Sequence, residues 1–229
     1  MKYPPGKTMV IALGGSVIHP EAIDVKLIRN LRRTLRRFFR SHRFVLIVGG
    51  GRLARVFQDA AHRAGRVRDE DKDWLGIHAT RMNAHLLRTV FRDVADPVVI
   101  DKRHRLKKLS HPLTIGSGWR PGWSTDYVAA VLASDFGAKE VVIAGKPAFV
   151  YSADPHQVKR ARPIPELSWR KYRRMIPKKW SPGMHAPVDP VAARFAERHG
   201  IRAVILDGRN LKNFENFLKG KEFEGTVIK

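Results

Sequence analysis

Apolar residues along the chain follow two periods. Mostly apolar runs at residues 9–13, 44–48, 140–144 and 201–206, broken only by Glu140 and Arg202, have the length and composition of buried strands, and 97–100, 113–115 and 226–228 are shorter candidates. Between them the spacing changes. Leu27, Leu31, Leu35 and Phe38 recur one helical turn apart, while Arg29, Arg33, Arg36 and Arg40 recur on another face, which predicts an amphipathic helix over 26–43. Helices are predicted in the same way over 53–64, ended by Gly65, and over 73–91, after a charged connection at 66–72. A further helix at 125–136 is closed by Gly137, and 169–175, 190–199 and 211–218 complete the set.

Short apolar strands alternating with helices predict an α/β fold: an open, mainly parallel sheet sandwiched between helices in three layers. Such sheets bind ligands beyond the carboxyl ends of their strands, and the glycines of this chain fall at those ends. Residues 1–229 are expected to form one domain. A division into parts near residue 137 is considered, although composition does not shift there.

Composition narrows the chemistry. With 43% hydrophobic and 28% charged residues the chain is globular rather than disordered. It has no cysteine, which excludes disulfides, thiolate metal sites and a cysteine nucleophile. No apolar stretch approaches the roughly 18 residues of a membrane span, and the first apolar run is too short for a signal peptide, so a cytoplasmic location is expected. The 44 lysines and arginines outnumber 21 acids, giving a net charge of +23 that attracts polyanions. This charge is spread along the chain rather than gathered in a tail, which favours solvated helix faces over a dedicated nucleic-acid site.

Three segments place glycine after a strand or before a helix: ALGGS at 12–16, VGGGRLAR at 48–55 and GSGWRPGWSTD at 116–126. Without Cβ atoms, backbone N–H groups approach an anion closely, and a helix start adds partial positive charge. Arg55, one turn into the helix after the triple glycine, can reach the same anion. Ser124, Thr125 and Asp126 stand where a helix begins, to cap it or to touch ligand hydroxyls. There is no G-x-x-x-x-G-K-[ST] and no G-x-G-x-x-G after a strand, so phosphates are held by another arrangement. The ten histidines lack metal-ligand spacing. His185 sits in a Pro- and Gly-rich loop near Asp189, where loop shape explains it better than catalysis. Trp119 and Trp123 flank Arg120 and either stack on a base, pack in the core or meet another subunit. Asp73 and Asp126 read equally as helix N-caps, and Tyr151 on its own as an ordinary strand residue.

Taken in order, IALGGSVI, VGGGRLAR, DWLGIHATRMNAHLL, GWRPGWSTDYVAA, FVYSADP, PVDPVAARFA and FLKGKEFEGTVI resemble the amino-acid kinase superfamily, and within it the archaeal-type UMP kinases, over nearly the whole chain. The resemblance implies phosphoryl transfer from ATP to UMP with Mg²⁺ and no metal site built from protein side chains alone. It implies UMP contacts at Gly50, Asp73, Gly118, Trp119, Arg120, Pro121, Gly122, Trp123, Ser124 and Thr125, with Asp73 on the ribose. It places Gly14, Gly15, Ser16, Gly51, Arg55, Gly145, Tyr151 and Asp154 on the ATP side, and Asp126, Arg55 and Asp189 beside the transferred group. It divides the domain into an acceptor part, about 1–137, and an ATP part, about 138–229, and implies a homohexamer. Two departures stand out: Ala12 occupies the place of a phosphate-contacting lysine found in many members, and Lys146-Pro147-Ala148-Phe149 replaces an Asn-Val-Asp-Gly-like turn near the ATP base. The alternatives are a sister enzyme with another phosphate, carbamate or carboxylate acceptor, and a basic nucleic-acid-binding protein on a degenerate kinase scaffold.

Overall fold

A computed structural model describes residues 5–155, 157–179 and 186–229, so His185 lies outside the described residues. Strands β1 (Thr8–Leu13), β2 (Arg43–Val48), β3 (Leu113–Gly116) and β4 (Glu140–Gly145) are buried almost throughout. Helices α1 (Gly15–Ile18), α2 (Val25–Arg36), α3 (Gly51–Ala64), α4 (Asp69–Val90) and α5 (Thr125–Asp135) connect or follow them. The remainder comprises β5 (Val150–Tyr151), β6 (Pro163–Ile164), β7 (Glu166–Leu167), α6 (Trp169–Met175), α7 (Pro190–Arg198), β8 (Arg202–Asp207), α8 (Leu211–Leu218) and β9 (Thr226–Ile228).

Seven strands form one sheet in the order β3-β2-β1-β4-β8-β9-β7, parallel at every pairing except β8 against β9. Alternation along β1 explains the layering. Met9, Ile11 and Leu13 enter one buried cluster with α2, α4 and α8, whereas Val10 and Ala12 enter a second with α5, α6 and α7. Both faces are therefore covered, which is why the strand runs are mostly apolar.

Four expectations need correction. Residues 97–100 form no strand: Ala95 and Ile100 make isolated bridges to β3, and Val98 N–H turns back to Asp96 Oδ1 at 2.9 Å. Pro97 has no N–H to give a ladder. The helix expected to reach residue 43 ends at Arg36, because both Ser41 and His42 N–H groups return to the Phe38 carbonyl and bring the chain into β2. Helix α4 starts at Asp69, inside the expected charged connection, since Asp69, Glu70 and Asp71 occupy its first turn, where the helix dipole favours acids. Neither Asp73 nor Asp126 is an N-cap: those positions belong to Arg68 and Ser124.

Candidate active site

Parallel strands end on one edge, and their register brings the glycines there together. Leu13 pairs with both Val48 and Ala144, and Ile47 pairs with Gly116, so the loops after β1, β2 and β3 begin nearly level. The first two loops touch backbone to backbone. A Cβ on Gly15 would lie 2.1 Å from the Gly51 nitrogen, and Gly51 itself has φ +63°, so neither position accepts a larger residue without displacement. Helices α1 and α3 start here behind Gly14 and Gly50, which supply no side-chain cap. Among the described residues, the N–H groups of Gly15, Ser16, Gly50 and Gly51 have no protein acceptor. Free amides at two abutting helix starts are an anion-binding arrangement.

Helix α4 supports the loops from one side. Asn83, 2% exposed, donates through Nδ2 to the Gly49 carbonyl at 2.8 Å and the Gly50 carbonyl at 3.0 Å. Thr80 Oγ1 accepts from Gly118 N–H at 2.8 Å and donates to the Ile77 carbonyl at 2.6 Å. Asp73 Oδ2 accepts from Gly122 N–H at 2.8 Å. Burial raises the Asp73 carboxyl above the usual carboxylate range, the Gly122 N–H opposes this, and Asp69 adds to the rise. The spacing of 73, 80 and 83 puts these side chains along one stretch of helix, so α4 ties the β2 and β3 loops together. Thr80 and Asn83 escaped the sequence reading; polar residues inside a helix among Ile77, Ala79, Ala84 and Leu87 were the available signal.

Within residues 118–125 the side chains do different things. Trp119 is buried in the core and donates Nε1–H to the Ile100 carbonyl at 3.3 Å, so the packing alternative holds for it and any ligand contact is left to its backbone. Trp123 meets the edge of Tyr127, with the Arg120 guanidinium 4.9 Å over its ring. Pro121 precedes Gly122, whose φ of +79° makes the turn. Ser124 caps α5, its Oγ accepting from Tyr127 N–H at 3.0 Å and donating to Asp189 Oδ2 in a short hydrogen bond. Thr125 opens α5, and Asp126 follows it.

Asp189 caps α7, with Oδ1 accepting from Val191 and Ala192 N–H groups at 2.7 and 3.0 Å. Its approach is fixed by Tyr172, whose hydroxyl donates to the Val188 carbonyl and accepts from Val188 N–H, both at 2.7 Å. Tyr172 is a second supporting residue that the sequence reading missed. Burial and then the Asp189 charge push the Asp126 carboxyl up to about 8, with the Asp189 N–H opposing them. Asp126 keeps slight contact with water, although protein crowds its carboxyl from most sides.

The remaining site candidates are more scattered. Gly145 ends β4 opposite Asp207, and Tyr151 and Asp154 belong to the β5–β6 excursion, which is anchored by Thr226 Oγ1 between Val150 N–H and the Ile164 carbonyl. Arg55 is exposed and donates to the Pro20 carbonyl at 3.4 Å, over the loop after α1 rather than into the gap between the glycine loops. Ala12 is buried in the second core cluster. No group of three or more His, Cys, Asp or Glu side chains able to hold a metal occurs among the described residues.

An open, mainly parallel sheet with abutting glycine loops at its carboxyl edge and free amides at two helix starts is the framework of a phosphotransferase of the amino-acid kinase fold. The chain belongs to the Amino acid kinase family, whose profile matches residues 7–106 and 115–207. It is 32% identical over 223 residues to the uridylate kinase of Thermococcus sibiricus, covering 96% of this chain and 98% of that protein. It is 33% identical over 227 residues to the uridylate kinase of Hyperthermus butylicus, covering 98% and 99%. The solved uridylate kinase of Archaeoglobus fulgidus superposes with a TM-score of 0.83 at 30% identity, over 98% of this chain and all of that one. The UMP kinase of Bacillus anthracis, 17% identical, shares the fold with a TM-score of 0.78 over 99% of this chain and 97% of that one.

Proposed function

We propose that this protein transfers the terminal phosphoryl group of ATP to UMP, giving ADP and UDP. The observation that carries this reading is the backbone contact between the β1 and β2 loops at Gly15 and Gly51, beside free amides at the starts of α1 and α3. Sheet order supports two nucleotides meeting there. The β2 and β3 side supplies Gly50, Asp73 and residues 118–125 for UMP, and the β4 and β8 side supplies Gly145, Tyr151 and Asp154 for ATP. Gly14, Gly15, Ser16 and Gly51 lie where the phosphates would face each other, so residues 1–137 serve mainly the acceptor and 138–229 mainly the donor.

Asp73, already positioned by Gly122 N–H, has its other oxygen for the ribose diol. The acceptor is a phosphate oxygen ionised at neutral pH, so transfer needs in-line placement and charge neutralisation rather than a general base. The amides of Gly15, Ser16, Gly50 and Gly51 neutralise part of the charge on the transferred oxygens. Asp189 has both carboxylate oxygens committed to protein donors, and Asp126 is crowded and largely protonated near neutrality. This donor set fits a Mg²⁺ that nucleotide phosphates would chiefly hold, with Asp126, once ionised, as the side chain that would help to hold it, rather than an all-protein cage. There Mg²⁺ supplies charge neutralisation. Arg55 would have to leave Pro20 to reach the phosphates.

A homo-oligomer is part of this reading. Helix α3 buries none of its residues, and Val56, Phe57 and Met82 on α3 and α4 are exposed, an apolar face suited to a second copy of the chain. A hexamer and a cytoplasmic location follow from the family resemblance; no helix among the described residues is long and apolar enough to cross a membrane. The test is ADP release from Mg-ATP with UMP, CMP, AMP, GMP or small carboxylates. UMP should give the highest kcat/KM; preference for a carboxylate or no turnover with any acceptor would overturn the proposal.

A further inference from the structure

Helix α2 takes no part in the glycine loops, yet α2 and the turn after it are strongly basic: residues 26–43 hold eight lysines and arginines and no acid. Its apolar side is spent on the core through Leu27, Ile28, Leu31 and Leu35. Two carboxylates from elsewhere hold the helix in place. Asp93, beyond α4, pairs with Arg32 and Arg36, and Glu215 of α8 pairs with Arg37 at 2.5 Å. Lys26, Arg29, Arg33 and Arg40 are exposed and, among the described residues, have no carboxylate within 4.0 Å. At 3.6 residues per turn, Lys26, Arg29, Arg33 and Arg36 fall within an arc of roughly 80° and span about 15 Å of rigid helix. Like charges at this spacing repel one another and disfavour the helix, so the stripe works against the stability of the element that carries it.

We propose that the exposed face of α2 binds the sugar-phosphate backbone of double-stranded nucleic acid without regard to sequence. A row of cations on a fixed helix matches a regular row of phosphates, and releasing condensed counterions drives such binding. The other polyanionic surfaces fit less well. A helix lying on a membrane inserts a free apolar face, and that of α2 is buried in the core cluster against the sheet, α4 and α8. Single strands are held by bases stacking on exposed aromatic rings, whereas Phe38 is buried and Phe39 packs against the core.

The experiment measures binding of the full chain to a labelled 20-base-pair duplex by fluorescence anisotropy between 50 and 200 mM salt. Four phosphate contacts predict a slope of log K on log salt of about −3.6, a loss on the order of 100-fold across that range. The triple variant K26Q/R29Q/R33Q should flatten the slope by about 3 and weaken binding at least about 10-fold at 100 mM salt. Its helix content and its ADP release with UMP should match the parent, since these side chains are exposed and outside the loops. A control, R170Q/K171Q/R174Q, removes the same charge from α6. Equal weakening by the control would mean that net charge alone binds, and would overturn the assignment to α2. Failure of the parent to bind duplex, or tighter binding to single strands or to vesicles containing phosphatidylserine, would overturn it as well.

Discussion

Ser124 Oγ donates a hydrogen bond to Asp189 Oδ2, joining the N-cap of α5 to the N-cap of α7. Asp126 is the second residue of α5, two positions after this cap, and its carboxyl is held up to about 8 by burial and then by the Asp189 charge. In the unfolded chain it ionises near pH 4. Between those values the unfolded chain binds fewer protons than the folded one, so stability from this group falls as pH rises through the window and levels off above about 8.

Asp126→Asn removes that penalty. Chemical denaturation should show the variant more stable than the parent by about 2 kcal/mol at pH 8, less than the full shift implies because the carboxyl keeps some water, with the gap closing near pH 4. The same variant should lose about 100-fold in kcat with KM little changed, a gain in stability at the expense of chemistry. A variant less stable at pH 8, or fully active, would contradict the role.

Thr80 and Asn83 act through the loops they hold. Thr80→Val leaves the Gly118 N–H without its acceptor, and Asn83→Ala frees the Gly49 and Gly50 carbonyls. Each should cost about 1–3 kcal/mol in thermal or denaturant unfolding, as for a buried polar group left unpaired. Thr80→Val should raise KM for UMP more than KM for ATP, because Gly118 begins the acceptor segment. Equal changes in both constants would point to general loosening instead.

Asp73→Asn keeps the shape and an acceptor for Gly122 N–H but loses the charge offered to the ribose. Steady-state kinetics should show KM for UMP rising about 10-fold, with kcat and KM for ATP near parental values. An unchanged KM for UMP would remove the ribose contact.

Phe57 is 52% exposed and Met82 66% exposed on the outer side of α3 and α4. Phe57→Glu should shift the parent assembly to smaller species in light scattering at micromolar concentration. An unchanged mass would show that this face is not where copies meet.

The strands with apolar runs of four or more residues and the helices with clear period were legible from sequence, because burial on both sides of a parallel sheet writes itself directly into composition. What failed was local. Residues 97–100 looked like a strand, but Pro97 and the Asp96 side chain turn the backbone away from the ladder. β5, β6 and β7 have two residues each and leave no periodicity to detect. At the site, glycines announced the loops, since only glycine survives a 2.1 Å approach such as Gly15 makes to Gly51. Their supports were hidden because Thr80, Asn83 and Tyr172 act through backbone groups distant in sequence, and one chain carries no mark of those pairings. Trp119 shows the converse: a conspicuous aromatic beside a binding loop that is spent on packing.

A crystal structure with UMP and a non-hydrolysable ATP analogue tests the central claim directly. The UMP phosphate and the terminal phosphate of the analogue should face each other across the Gly15–Gly51 contact, within hydrogen-bond reach of the Gly15, Ser16, Gly50 and Gly51 amides. Phosphates bound elsewhere, or a single nucleotide filling the whole edge, would contradict the account.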